Sequence, residues 1–537
     1  MNSQVKKNQP KLWIIIVVIL VILGCCFVSL VLAGGLFLRS ENITLEDFFS
    51  GLIGKETQSD ITEALPEECD QILEPEQEEP SFDQKTAIPP EEEEIVPQEE
   101  PVEEETSHPL QMEDFLLAIT TSGIWKVNEE SQEVQQISTD VLDGPQPYIK
   151  GFSPDKKYYA YITGDIHPTL VVLNLQTNSS VWQMPLSSPN SQIKPDMDAS
   201  DPGQSVLLAM QTFGSMAWSP DSTHLAFVAA MDNSNTDLYL LNIADLSISR
   251  LSDENSNAAR VNWSLDGRFI EYVTVNNFGT GAGMDMDAIW VYDRSQGNAK
   301  LLEQSTSSGE EFVSWIDNET FYIHSWSAIC SSHNLRSINA VTGSQDVILE
   351  SCFSSVAYDP VGKLGIVAVG DLFVNACQCG DVDDYGTYSF GESLGMNDAG
   401  IKIKKFEYIN AYGVELLDPG NLFAIYTEQG LSHLFDETGF PIAIPSAVSG
   451  LKPFPSPTGD YWVWYPYYGD SIGLWVTDDQ STVFELSATA SGNVVWSNGG
   501  ERVYFFETNR IFYADAPGFI PTLFVDIPVN QVYAIGK

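Results

Sequence analysis

Few residues of this chain are spaced for covalent chemistry, and each such arrangement has a plainer structural use. Gly391-Glu392-Ser393-Leu394-Gly395 has the spacing of a serine nucleophile elbow, which needs a buried strand before it and a helix after it. The following Met396-Asn397-Asp398-Ala399-Gly400 breaks a helix, so the match is read as coincidence. Carboxylates gather at Asp285 and Asp287, and again at Asp381, Asp383 and Asp384. Their oxygens suit Ca2+, but neither run has EF-hand spacing, and ordinary loop polarity is the favoured reading. Cys330, Cys352, Cys377 and Cys379 could hold zinc as thiolates. Outside a reducing compartment they would form disulfides instead, in any of three connectivities. Trp326, Tyr465, Tyr467 and Tyr468 are aromatic residues in loop-like segments, suited to a sugar ring or a protein partner, or simply to covering a sheet edge. None of these patterns calls for an organic cofactor, and none is expected.

The scaffold that must hold these residues is a repeat. Phe152, Trp218, Trp263, Trp315, Tyr358, Leu417, Pro455 and Trp496 each close a short strand-like run, at spacings of 66, 45, 52, 43, 59, 38 and 41 residues. A tight turn follows, as in Ser153-Pro154-Asp155, Ser219-Pro220-Asp221, Ser264-Leu265-Asp266-Gly267, Asp418-Pro419-Gly420 and Ser456-Pro457-Thr458-Gly459. Proline presets φ there, and aspartate or glycine accepts the remaining geometry. Because these aspartates recur at the same turn of every unit, they are read as structural. Second strands such as Leu225 to Ala229 and Val503 to Phe506 are apolar on both faces, as sheets sandwiched between neighbours require. Phe115 to Ser138 supplies strands two to four of a further unit, and Val529 to Ile535 could provide its missing first strand.

With those three Ser-x-Asp turns, residues 115 to 537 resemble the TolB-like, WD-repeat-like β-propellers. The resemblance implies an all-β single propeller over residues 113–537 and a partner-binding role rather than a reaction. Counting yields nine units; the usual ceiling of eight blades leads us to expect eight four-stranded blades, with seven to nine compatible and a misread unit in 359–420. In a propeller, the links between strands two and three and those between blades emerge on one face. The long insertions 185–214, 276–287, 325–334, 371–400 and 465–472 are all assigned to that face, and short turns such as Thr342-Gly343 to the other. Loops on a rigid scaffold carry function.

The chain has 75 acidic against 25 basic residues, a net charge of −50. Residues 106–537 alone hold 52 acids and 19 bases, which excludes nucleic acid as a partner because phosphate binding needs clustered Lys and Arg. Residues 12–38 contain no charge and, at 1.5 Å per residue, are long enough for a transmembrane helix. Lys6, Lys7 and Lys11 place the 1–11 tail in the cytoplasm and everything after the span outside it. Leu23-Gly24-Cys25 offers the alternative of lipidation at Cys25, with the same topology. A juxtamembrane segment, 39–55, leads to a Pro/Glu-rich linker, 56–112, with too little apolar surface to offset its chain entropy. The expected protein is a membrane-anchored extracytoplasmic propeller that binds a protein or glycan without catalysis. The alternative is a carbohydrate-active or other hydrolytic propeller with an acidic site at the channel mouth.

Overall fold

A computed structural model describes most of residues 114–537, with its longer breaks at 143–150, 370–385, 391–403 and 467–472. Residues 1–113, including the proposed span 12–38, Cys25 and the linker, lie outside the described residues; among those described, no helix is long and apolar enough to cross a membrane.

The described residues form nine antiparallel sheets, eight of four strands and one of three. Blade 1 joins Phe115–Thr120, Gly123–Asn128 and Val134–Ser138 to the last strand, Val532–Gly536. Blades 2 to 9 follow in chain order from Tyr158, Met216, Asn257, Gly309, Ser355, Gly413, Leu451 and Val495. Ring closure by the final strand is as the sequence suggests, with Ala118 opposite Ile535 and Ile119 opposite Ala534. Blade 2 has only the bridge Phe152 to Tyr159 where its first strand would be.

Seven of the eight sequence anchors end, or nearly end, a first strand, Met216–Trp218, Asn257–Trp263, Gly309–Trp315, Ser355–Asp359, Gly413–Leu417, Leu451–Pro455 and Val495–Trp496, while Phe152 makes only its bridge. These strands sit at one edge of their sheets, and first strands of neighbouring blades pack together. They are the inner wall of the ring. Second strands are buried on both faces: the neighbours Leu225 and Ala226, like Val503 and Tyr504, are fully buried although they point to opposite sides of the sheet. Core clusters therefore run between blades, as where Phe227, Val261, Phe269 and Ile323 share one.

Three expectations need correction. The blade count is nine, not eight, because 355–407 forms a regular four-stranded sheet, Ser355–Asp359, Leu364–Val369, Gly386–Phe390 and Lys404–Glu407. Long connections on both sides of Gly386–Phe390 dilute its repeat. That strand also divides the insertion 371–400, so it is not a single link between strands two and three. Finally, 276–287 and 325–334 are mostly strand. They continue the hairpins Phe269–Gly279 with Gly283–Asp293 and Thr320–Ser327 with Ser331–Asn339.

The insertion 185–214 contains a helix the sequence reading did not anticipate, α1 (Pro202–Gln211). Pro202 supplies a preset φ at its first turn, and Asp201 precedes it, held by Lys194 Nζ at 2.8 Å. Val206, Ala209 and Met210 are buried against blades 3 and 4. A single helix of ten residues is an insertion rather than a layer.

Candidate binding face

The face carrying the strand-two-to-three links is called the upper face. Its main described feature is the blade 4 hairpin, paired from Phe269 opposite Asp293 to Gly279 opposite Gly283. Each arm has eleven residues, against six for second strands such as His224–Ala229. Ladder hydrogen bonds carry the extension, which makes it more rigid than a loop.

Asp285 and Asp287 are both on this hairpin but do not act together. Asp285 is exposed, opposite Asn277. Asp287 accepts from Ser256 Oγ at 2.9 Å, Thr274 Oγ1 at 3.3 Å and Gln304 Nε2 at 2.8 Å. Its oxygens are committed within blade 4, and no group of three metal-ligating side chains occurs among the described residues. Trp326 lies on the blade 5 hairpin, opposite Gly309 and Ser332. Cys352 is fully buried opposite His333 and is disulfide-bonded, its partner lying outside the described residues. Tyr465 is on the second strand of blade 8, opposite Lys452. Cys330, Cys377, Cys379, Asp383, Asp384, Tyr467 and Tyr468 lie outside the described residues, as does Gly391-Glu392-Ser393-Leu394-Gly395.

A charged network at the upper ends of blades 4 and 5 was missed from sequence. Arg336 Nη2 lies 2.7 Å from Glu303 Oε1 and 2.9 Å from Glu310 Oε2, and its Nη1 donates to Ser325 Oγ at 2.9 Å. Ser325 Oγ donates in turn to Glu310 at 3.1 Å. Beside it, Glu311 accepts from Arg260 Nη1 at 3.2 Å and lies 3.7 Å from His324 Nε2. Burial pushes the Glu310 carboxyl above the usual range against the pull of Arg336, and burial holds the His324 imidazole below its ordinary value against Glu311. The arrangement ties Arg260 and Glu303 of blade 4 to five side chains of blade 5. It braces the base of both hairpins and spends its carboxylates on internal cations. Its sequence signal is Glu310-Glu311, two acids at the start of an inner strand where apolar residues prevail. A second strap joins blades 7 and 8, with Lys452 Nζ 2.7 Å from Glu415 Oε1 and Tyr426 donating to Glu415 Oε2 at 3.2 Å.

Elsewhere on the upper face, burial pushes Asp237 up to about 6 although Arg250 Nη2 is 2.8 Å away. Tyr239 donates to Asp232 and Tyr272 to Glu254, each at 2.9 Å. These pairs fasten the upper ends of blades 3 and 4.

No family model matches the chain, and no curated protein matches it. Among solved structures it is similar to the dipeptidyl peptidase 4 of Porphyromonas gingivalis, at 12% identity and a TM-score of 0.46, over 71% of this chain and 60% of that one. It is also similar to a chain in a structure of the eukaryotic initiation factor, at 14% identity and a TM-score of 0.38, over 79% and 98% of the two chains. A third similarity is to apo AztD from Citrobacter koseri, at 11% identity and a TM-score of 0.39, over 79% and 96%. The chain spans 60% of the length of the dipeptidyl peptidase. At these identities and scores the likenesses carry no argument about activity; the β-propeller architecture stands on the sheet order and ring closure described above.

Proposed function

We propose that this chain is a membrane-anchored, extracytoplasmic propeller of the TolB-like, WD-repeat-like kind that binds a protein or glycan partner through its upper face without catalysis. The observation that carries this reading is the blade 4 hairpin. A ladder that continues to Gly279 and Gly283 projects side chains from a rigid support, and its base is braced by the Arg260, Glu311 and Arg336 contacts. Preorganised projections bind with less loss of conformational freedom than mobile loops. Residues 12–38 anchor the chain, 56–112 hold the ring away from the bilayer, and disulfides among Cys330, Cys352, Cys377 and Cys379 secure the upper links.

The test places a photo-crosslinking residue at exposed Asp285 of the full chain in its native membrane, and another at Val361, which is 75% exposed on the lower face. Adducts to one defined partner from 285 and not from 361 are expected. Equal adducts from both positions, or none from 285, would sink the proposal. Protease added to intact cells should release the propeller by cutting in 56–112; full protection would overturn the topology.

A further inference from the structure

The inner wall of the ring is interrupted at blade 9. Its first strand, Val495–Trp496, has two residues, whereas those of blades 4 and 5 have seven each. Beside it lies a cavity of about 510 Å³, lined from blades 8, 9 and 1 and by Lys156, within the size range, roughly 300–1,000 Å³, that small molecules occupy. Phe454, Val494, Val495 and Trp496 give it an apolar wall.

Its charged groups are already matched. Lys537 Nζ pairs with Glu129 and lies 3.9 Å from Asp114 Oδ1; Lys156 Nζ donates to the Lys537 main-chain oxygen at 3.0 Å; Asn498 Nδ2 donates to Asp114 Oδ1 at 2.9 Å. An ion entering the cavity would therefore lose hydration without gaining a free counter-charge.

Two neutral polar groups are not matched. The Tyr465 hydroxyl and the Asn493 side-chain nitrogen both belong to residues lining the cavity, and neither has a hydrogen-bond partner among the described residues. The Asn493 amide is oriented because its Oδ1 accepts from the Ile535 N–H at 2.7 Å. Tyr465 is fixed by its packing on Gly492, where an added Cβ would come within 2.3 Å of Tyr465 Cδ2. A wholly apolar ligand would bury both polar groups unpaired, at about 1–3 kcal/mol each.

We propose that this cavity binds a neutral sugar ring, its C–H surface against Phe454, Val494 and Val495 and its hydroxyls on Tyr465 and Asn493. A sugar offers apolar and hydrogen-bonding surface together with no net charge, which is the combination these walls present. The site lies on the inner wall and is separate from the blade 4 hairpin, so either can fail without the other.

The purified full chain in detergent is titrated calorimetrically with neutral hexoses, N-acetylhexosamines and their disaccharides, and with hexuronic acids of matching stereochemistry. Saturable binding of at least one neutral sugar, with its uronate weaker, is expected. Tyr465→Phe, which keeps the ring, should weaken binding at least tenfold without lowering the unfolding temperature. Gly492→Ala should weaken it further by displacing Tyr465, while replacing 276–287 with a two-residue turn should leave it unchanged. Lack of saturable binding by every neutral sugar, equal binding by Tyr465→Phe, or a uronate that binds as tightly would overturn the proposal.

Discussion

Trp263 Nε1 donates to the main-chain carbonyl of Ala217 at 2.9 Å, and Ala217 immediately precedes Trp218, which ends the first strand of the blade before. The same step occurs one blade earlier, from Trp218 Nε1 to Gly151 at 2.8 Å, just ahead of Phe152. It occurs again from Trp496 to Phe454 at 3.4 Å, just ahead of Pro455. A tryptophan at the end of an inner strand thus stitches its blade to the preceding one. Trp315 holds the same place in blade 5 and is 3% exposed, yet its Nε1 has no acceptor among the described residues.

That contrast predicts two different costs for one substitution. Trp263→Phe loses ring area and leaves the Ala217 carbonyl without its donor; Trp315→Phe loses similar area but removes a buried, unmatched N–H. Trp263→Phe should therefore be more destabilising by about 1 kcal/mol, measured by urea denaturation. Equal losses would mean that the indole bond contributes nothing to holding blades together.

The Ser-x-Asp turns predict a dependence on acid. Ser219 Oγ donates to Asp221 Oδ1 at 2.6 Å and accepts from the His224 N–H at 2.9 Å, while the Thr223 N–H also donates to Asp221. Ser153 with Asp155 and Ser264 with Asp266 repeat the arrangement at 2.7 and 2.8 Å. Partial burial works against ionised Asp221, but the bonds from Ser219 and Thr223 prevail and bring its carboxyl down to about 2. A carboxyl depressed below its unfolded value stabilises the fold above about pH 4 and loses that contribution between pH 4 and 2. Asp221→Asn should lower the unfolding temperature at pH 7, with the difference from the parent chain shrinking through that window. A difference that stays constant from pH 7 to pH 2 would show that the charge is not what the turn uses.

Most of this scaffold was legible because the repeat writes it several times. Trp218, Trp263, Trp315 and Trp496 mark inner strands where tryptophan can pack between blades, and each Ser-x-Asp turn names the strand pair it joins. The count went wrong where a general ceiling on blade number overrode nine visible units. Connections around Gly386–Phe390 had also hidden a strand with little apolar periodicity. Candidate chemistry was less legible, because proximity in a ring comes from different blades. Nothing local to Arg260, Glu303 or His324 announces that Glu310, Glu311 and Arg336 will meet them. Asp285 and Asp287 look like a pair in sequence, yet Ser256, Thr274 and Gln304 absorb the second. The cavity beside Tyr465 gathers residues from Asp114 to Lys537, which no local pattern brings together.

Ring closure should rest on the last strand. Ile535 is fully buried opposite Ala118, and Val532 and Ala534 are each 1% exposed. Ile535→Ala should cost roughly 2–5 kcal/mol, the range for truncating a buried aliphatic side chain. Ile520, 74% exposed at a turn, provides the contrast, and Ile520→Ala should stay within about 0.5 kcal/mol. Calorimetric unfolding of the two variants separates the cases. If Ile535→Ala unfolds like the parent chain, the ring does not depend on that strand.

Glu271 carries the clearest prediction near neutral pH. It is 1% exposed on the second strand of blade 4, where Oε2 accepts from Asn262 Nδ2 at 2.8 Å and Oε1 has no partner among the described residues. Burial raises its carboxyl to about 7, outweighing the Asn262 bond and the nearby Arg260. Because the folded value lies above the unfolded one, the folded chain keeps a proton that the unfolded chain releases near pH 4.5, so stability falls as pH rises from there to 7. Above pH 7 the fold must hold an ionised carboxylate in the blade, at a cost on the order of 3 kcal/mol. Glu271→Gln keeps an oxygen for Asn262 and cannot ionise. Urea denaturation should find it close to the parent chain at pH 5 and more stable than the parent at pH 8. A variant equally destabilised at both values would mean that Arg260 holds Glu271 ionised in the folded state.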